Sequence, residues 1–222
     1  MPRFFVLVLL VIVAPGFLNG QAKLDAPDRS VLLRPDDPEM NQRAPDVVRV
    51  RLETTKGTIR LEMHREWAPH GVDRFYNLVR HGFYDNAPVF RVRAGMWAQF
   101  GINGDPKIAK LWRTRTIPDD PRVESNVRGS VAFAFKEANG RTTQVFINLR
   151  NNSATHDAEP FVPIAKVIKG MEVADAFYAG YGEQAGGGIR AGKQDPVFEG
   201  GNKYLKRQFP LLDYIVKAVI ER

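Results

Sequence analysis

Two stretches on either side of residue 56 alternate strictly between apolar and polar side chains. Val48, Val50 and Leu52 alternate with Arg49, Arg51 and Glu53, and after Lys56-Gly57 the alternation resumes over Thr58 to Met63. A period of two broken by a short glycine turn predicts a β-hairpin. The period then lengthens. Val72, Phe75, Leu78 and Val79 recur at helical spacing, which predicts a helix over Pro69 to Gly82 with Gly82 as its C-terminal cap. Strands are predicted at Pro88 to Val92, Ser130 to Phe135, Gln144 to Leu149 and Phe161 to Ile168, and a short helix at Val173 to Tyr178. Lys203 to Gln208 reads as one helical turn. Leu212 to Ile220 mixes β-branched residues with some helical spacing and is read as a strand. Many strands with only about two helices predict a mainly β protein: an antiparallel barrel, closed because closure leaves no unpaired edge, and capped by helices.

The flanks read differently. Arg3 precedes the unbroken apolar run Phe4 to Val13, which Pro15 and Gly16 break, and Leu18 to Ala22 supplies small residues. Charge, apolar run and small residues form the layout of a secretory signal peptide over residues 1–22, cleaved after Gly20 or Ala22. Ten apolar residues fall short of the roughly 20 that span a bilayer as a helix. The mature protein is therefore expected in a periplasm or secreted, without a stable membrane span. A retained anchor extended through Phe17 and Leu18 is the alternative. Residues 23–46 hold Pro27, Pro35, Pro38 and Pro45 among many charges and read as an extended, flexible arm. The domain proper is expected over 47–222, with a glycine-rich surface loop at 181–201.

Composition narrows the chemistry. Lys and Arg number 32 against 25 Asp and Glu, a net charge of +7. These charges are scattered rather than clustered, so they point to solubility ahead of nucleic-acid binding. The absence of cysteine excludes disulfides, thiolate metal sites, cysteine nucleophiles and lipoprotein anchoring. His64, His70, His81 and His156 form no metal-ligand spacing, the glycines match no phosphate-cradling motif, and no G-x-S-x-G elbow occurs. Neither metal nor cofactor is expected. Asn151-Asn152-Ser153 is a glycosylation sequon of a kind that is common by chance.

Three segments carry a resemblance. Phe83 to Pro106, FYDNAPVFRVRAGMWAQFGINGDP, is similar to F-Y-D/N-x-x-x-F-H-R-V-x-x-G-F-M-x-Q-x-G-D of the cyclophilin-type peptidyl-prolyl isomerases. Gly129 to Ala134 with Thr142 to Ile147 resembles that family's G-x-L/I-S/A-M-A and G-S-Q-F-F-I. Phe161 to Met171 resembles H-V-V-F-G-x-V-x-x-G-M. The three fall in the family's order and cover roughly Val47 to Tyr178. The version from Met96 to Pro106 looks like the short bacterial branch. The resemblance implies an eight-stranded antiparallel barrel closed by two helices, with a peptide groove on its outer face and Leu212 to Ile220 as its last strand.

It also implies a site. A prolyl peptide bond rotates slowly because amide resonance sets a barrier of about 18–20 kcal/mol. At the twisted midpoint resonance is lost and the proline nitrogen becomes basic. A donor placed there bonds the transition state and hardly touches the planar ground state. Arg91 matches the family's catalytic arginine, and Gln99 the glutamine that positions it and the substrate carbonyl. Met96, Trp97 and Phe146 match residues of the proline pocket, and Ala134, Phe135 and Gln144 fall on groove positions. Phe161 stands where many members have histidine, and His156 or its neighbour Thr155 where the family has its inhibitor-binding tryptophan. The implied partners are extended, proline-containing polypeptides, and the implied protein is a monomer that isomerises X–Pro bonds in exported chains. A non-catalytic Pro-peptide-binding chaperone or assembly factor is the alternative, and a structural envelope protein tethered by an uncleaved helix is a second one. From pattern alone, Phe146 on an alternating strand also reads as core and Arg91 as an ordinary strand arginine.

Overall fold

The computed structural model describes Met1 and residues 28–221. The expected signal peptide therefore lies almost wholly outside the described residues. The hairpin forms as β1 (Val47–Thr54) and β2 (Gly57–His64), with Val50 opposite Leu61 and Leu52 opposite Ile59. These four side chains and Met63 are fully buried in the main core. The helical period forms α1 (Pro69–Arg80), which turns Val72, Phe75, Leu78 and Val79 into that core. Proline at the start of α1 suits a position whose N–H would lack a helical partner.

The chain continues through β3 (Ala87–Pro88), β4 (Arg91–Arg93), β5 (Trp97–Phe100), α2 (Pro106–Trp112), β6 (Ser130–Phe133), β7 (Val145–Asn148) and α3 (Ser153–His156). It ends with β8 (Pro163–Lys169), α4 (Met171–Asp175), α5 (Asp195–Gln208) and β9 (Tyr214–Glu221). All pairings are antiparallel, in the order β3-β9-β1-β2-β8-β6-β7-β5-β4.

This corrects the expectation of eight strands closed into a barrel with two helices. Nine strands form one curled sheet, its ladder open between β3 and β4, with five α-helices among the described residues. The two edge strands are nevertheless consecutive in the chain, separated only by Val89 and Phe90. The sheet must curl far enough for one stretch of seven residues to supply both edges. Pro88 has no N–H to extend the ladder, and the Val89 amide donates to the Asp213 carbonyl at 2.8 Å.

Two further expectations are corrected. The flexible arm, where described, is docked: Val31, Leu32, Met40 and Ala44 are buried, and the Trp112 indole N–H donates to the Leu32 carbonyl at 2.8 Å. These four residues pack into the main core, with the short 3-10 turn at Arg29–Leu33 against α2 and that at Pro38–Met40 against α1. The glycine-rich loop ends at Gln194, because α5 begins at Asp195 with Pro196 in its first turn and buries Val197, Phe198 and Leu205. The single turn expected at Lys203–Gln208 is the end of this helix. The kink at Gly201 (φ 53°, ψ −147°) hides the helical period, and a Cβ there would clash with the Gly104 carbonyl. Helix α2 escaped the pattern, although Asp105-Pro106 marks its start and Asp105 caps the Lys107 amide at 2.8 Å.

Candidate active site

Strand register builds the site. Directly opposite residues in neighbouring strands point to the same face. Arg91 on β4 faces Gln99 on β5, Gln99 faces Phe146 on β7, and Phe146 faces Ala132 on β6. These four form one row across four strands. The adjacent row, Val92, Ala98, Ile147 and Val131, points the other way and is buried in the main core. The row carrying Arg91 thus lies on the outer face, where Ala132, Ala134 and Phe146 make a small apolar cluster of their own with Trp97, Phe161 and Ile189 against it. Phe146 belongs to this cluster and not to the main core.

A cavity of about 240 Å³ opens on that face. Its walls include Arg91, Trp97, Gln99, Ala134, Phe135, Phe146, His156 and Phe161. Arg91, Gln99 and six of the eight predicted groove residues are thereby brought together. Met96 is not among them. It sits in the turn before β5, where its carbonyl accepts from the Leu149 amide and Asn152 Nδ2, both at 2.9 Å. Gln144 stands behind Gln99 and lines a neighbouring cavity of about 550 Å³.

The polar side is a chain of amides. Arg91 Nη1 donates to Gln99 Oε1 at 2.9 Å, Gln99 Nε2 to Gln144 Oε1 at 2.9 Å, and Gln144 Nε2 to Gln194 Oε1 at 2.8 Å. Because a guanidinium only donates, it fixes the Gln99 oxygen towards itself and so sets the order of the relay. The Arg91 guanidinium stands 5.1 Å from the centre of the Trp97 ring, and its side chain is 17% exposed. Nε and Nη2 donate to Glu183 Oε1 at 3.0 and 2.5 Å. This contact holds the Glu183 carboxyl below its ordinary range.

The apolar side is aromatic. The His156 ring lies 4.8 Å from Phe161 and 5.5 Å from both Phe146 and Trp97. Burial pushes the His156 pKa below its ordinary 6.5. It is His156, and not Thr155, that lines the cavity; the Thr155 hydroxyl donates to the Asn152 carbonyl at 3.1 Å. A buried asparagine network fixes this wall. Asn152 Nδ2 donates to Asn148 Oδ1 at 2.7 Å, and Asn126 Nδ2 to Asp157 Oδ1 and the Phe161 carbonyl at 2.8 and 2.7 Å. Among the described residues no group of three or more His, Asp or Glu is placed to hold a metal ion.

A family model described as cyclophilin type peptidyl-prolyl cis-trans isomerase/CLD matches residues 49–192. The chain belongs to the cyclophilin-type peptidyl-prolyl cis–trans isomerases. It is 32% identical over 130 residues to peptidyl-prolyl cis-trans isomerase A of Dickeya dadantii, spanning 57% of this chain and 68% of that protein. It is 28% identical over 134 residues to peptidyl-prolyl cis-trans isomerase B of Escherichia coli, spanning 57% and 81%. Its fold is similar to that of a cyclophilin type peptidyl-prolyl cis-trans isomerase of Cryptosporidium parvum, with a TM-score of 0.57 at 18% identity over 79% of this chain and 98% of that one.

Sequence reasoning missed the part of this cyclophilin site that comes from outside the sheet. Glu159, Gly188, Ile189 and Arg190 also line the cavity, Glu183 holds Arg91, and Gln194 ends the amide relay. All but Glu159 lie in the glycine-rich segment, whose path is set by positive-φ glycines and has no period to read. One signal was present: Ile189 is the one large aliphatic residue between Tyr181 and Gln194.

Proposed function

We propose that this chain accelerates rotation about X–Pro bonds, with Arg91 as the donor that meets the proline nitrogen in the twisted state. The observation that carries this reading is the row Arg91–Gln99–Phe146, which sets a guanidinium beside an aromatic-lined cavity of about 240 Å³. Gln99 orients the guanidinium and bonds the substrate carbonyl, while Trp97, Phe146, His156 and Phe161 hold the ring and keep water from the amide. An environment poor in water favours the twisted amide, whose carbonyl carries less charge than the planar one. No covalent bond to the enzyme is needed.

The substrates are extended polypeptides outside the cytoplasm, and the chain belongs to an exported bacterial branch of the family. The charged start, the run Phe4 to Val13 and the small residues up to Ala22 support this reading. Among the described residues no helix is long and apolar enough to cross a membrane. Mass spectrometry of the exported protein is expected to find a new amino terminus after Gly20 or Ala22, and full-length chain in the membrane fraction would refute export with cleavage.

The activity is tested by cis-to-trans conversion of a short X-Pro peptide with and without the purified mature protein, alongside equilibrium binding of the same peptide. Faster conversion supports the isomerase. Binding without conversion supports the second reading, a Pro-peptide-binding chaperone, which the engagement of Arg91 by Glu183 favours.

A further inference from the structure

The segment between α4 and α5 lies over the groove. Gly187 and Gly192 adopt left-handed conformations, with φ of 65° and 67°. A Cβ on Gly192 would meet nothing within 4 Å, so its backbone conformation, and not space, calls for glycine there. Just before this stretch the chain is anchored: Ala185 is buried in the cluster shared with α5, and a Cβ on Gly186 would lie 3.0 Å from the Phe90 ring. Beyond it, Gln194 is buried and bonded to Gln144. Gly187–Gly192 is therefore a short span between two fixed points with a glycine joint at each end.

Three contacts hold this span down. Ile189 packs against the Ala132, Ala134 and Phe146 cluster. Gly188 lies so close to Arg91 that a Cβ on it would sit 3.2 Å from the guanidinium carbon. Arg190 places its guanidinium 4.5 Å from the Phe135 ring centre and pairs with Glu159 at 2.5 Å. Arg190 and Glu159 both line the cavity and are half-exposed, so the ion pair bridges the cavity on its solvent side. Beside the span, Glu183 occupies the Nε–Nη2 edge of the Arg91 guanidinium. A polypeptide must run through the groove as a continuous chain, and in this arrangement Gly188–Arg190 and Glu183 stand in its way.

We propose that Gly187–Gly192 is an autoinhibitory lid, latched by Arg190 and Glu159 across the proline pocket, which a proline-containing polypeptide enters only when the lid lifts. This rests on the reading of the groove as a peptide site. Apparent affinity is then the intrinsic affinity multiplied by the fraction of open molecules, and weakening the latch raises that fraction.

The chain has no cysteine, so a Glu159→Cys/Arg190→Cys variant carries its only two thiols. They can be joined by a short bis-maleimide. The probe is a fluorescent hexapeptide with a central Ala-Pro, read both by association kinetics and by isomerisation. Joining the thiols is expected to slow association at least tenfold relative to the same variant before joining. A joined protein that binds as fast as the unjoined one overturns the lid. In the second variant, Ile189→Gly/Arg190→Gln removes the latch without a linker, and association is expected to rise about two- to fivefold, the effect of losing one exposed ion pair and one apolar contact. Unchanged or slower association overturns the proposal. If wild type binds the peptide but does not isomerise it, the isomerase reading fails while the association arm still decides the lid.

Discussion

Arg91 and His156 face one cavity from opposite chemical sides, and each makes a separate prediction. The bond proposed for Arg91 exists only in the twisted state, so removing it lowers turnover and leaves peptide affinity nearly intact. A charge-assisted hydrogen bond is worth about 1.5–3 kcal/mol, so Arg91→Ala is expected to slow isomerisation by about tenfold to more than a hundredfold. Arg91→Lys is expected to restore only part, because an ammonium cannot donate to Gln99 and to substrate from a fixed planar fork. Parallel activity and binding titrations on the folded variants check this, and wild-type turnover in Arg91→Ala would refute the role. His156 titrates the other side. Its pKa is lowered by burial among Trp97, Phe146 and Phe161; the Asn152 carbonyl, Glu159 and Asp157 oppose that shift, and Arg150 adds to it. The unfolded chain therefore binds this proton more readily than the folded one. The neutral ring's contribution to stability is full above pH 6.5 and declines as the pH falls below it towards the lowered folded value. Protonation also puts a cation into the aromatic pocket proposed to hold the proline ring. Wild type is expected to lose thermal stability and peptide affinity as pH drops from 7 to 5, and His156→Phe is expected to lose less of both.

At the scale of elements, α1 depends on a residue that no helix-start rule would have found. Ala68 offers no capping side chain, and the His70 and Gly71 amides donate instead to the two carboxylate oxygens of Asp120, each at 2.9 Å. Asp120 also accepts from the fully buried Arg141 at 2.9 Å, and Arg141 reaches Asp119 at 3.2 Å. Truncating one partner of a buried pair leaves the other charge uncompensated and costs about 3–5 kcal/mol. Asp120→Ala is expected to lower the melting temperature by roughly 6–20 °C, and Asp120→Asn by less because one oxygen can still cap. Calorimetry of both variants measures the difference, and a Tm within a degree or two of wild type for Asp120→Ala would refute the cap. Where burial follows a period, as in β1, β2 and α1, the elements were readable within a residue or two. Arg91, Gln99 and Phe146 were found through motif resemblance, and strand register accounts for their convergence. Met96 and Gln144 stand outside the 240 Å³ cavity, Gln144 lining the adjoining one, because motif spacing does not say which side of a turn or amide relay a side chain takes. Asp120, Glu183 and Arg190 act across long sequence separations from loops without a period, so nothing local to them points to their partners.

The molecule as a whole is completed by its flanks. The family match ends at residue 192, yet β9 beyond it sits between β3 and β1, and without it both would become unpaired edges. The amino-terminal flank works through packing instead of pairing. The Ala44 amide donates to Asp73 Oδ1 at 2.9 Å, Asn77 Nδ2 donates to the Gln42 carbonyl at 2.7 Å, and Leu32, fully buried, meets α2 where its carbonyl accepts from the Trp112 indole N–H. A loose arm and a docked one make opposite predictions for Leu32→Ala. On a loose arm the change is solvent-exposed and falls within about 0.5 kcal/mol of neutral. In the docked arrangement it empties a closed site and costs about 2–5 kcal/mol. Urea unfolding is therefore expected to show a clearly lower midpoint for Leu32→Ala at an unchanged slope, whereas Leu33→Ala, one residue on and half-exposed, is expected to leave the midpoint in place. Trp112 supplies a second reading of the same event. Removing residues 1–46 takes away the acceptor of its indole N–H and part of its cover, so its emission should shift to the red while the protein remains folded by circular dichroism. An arm that Leu32→Ala leaves untouched, with tryptophan emission unmoved by truncation, would mean that residues 28–46 do not belong to the folded domain in solution.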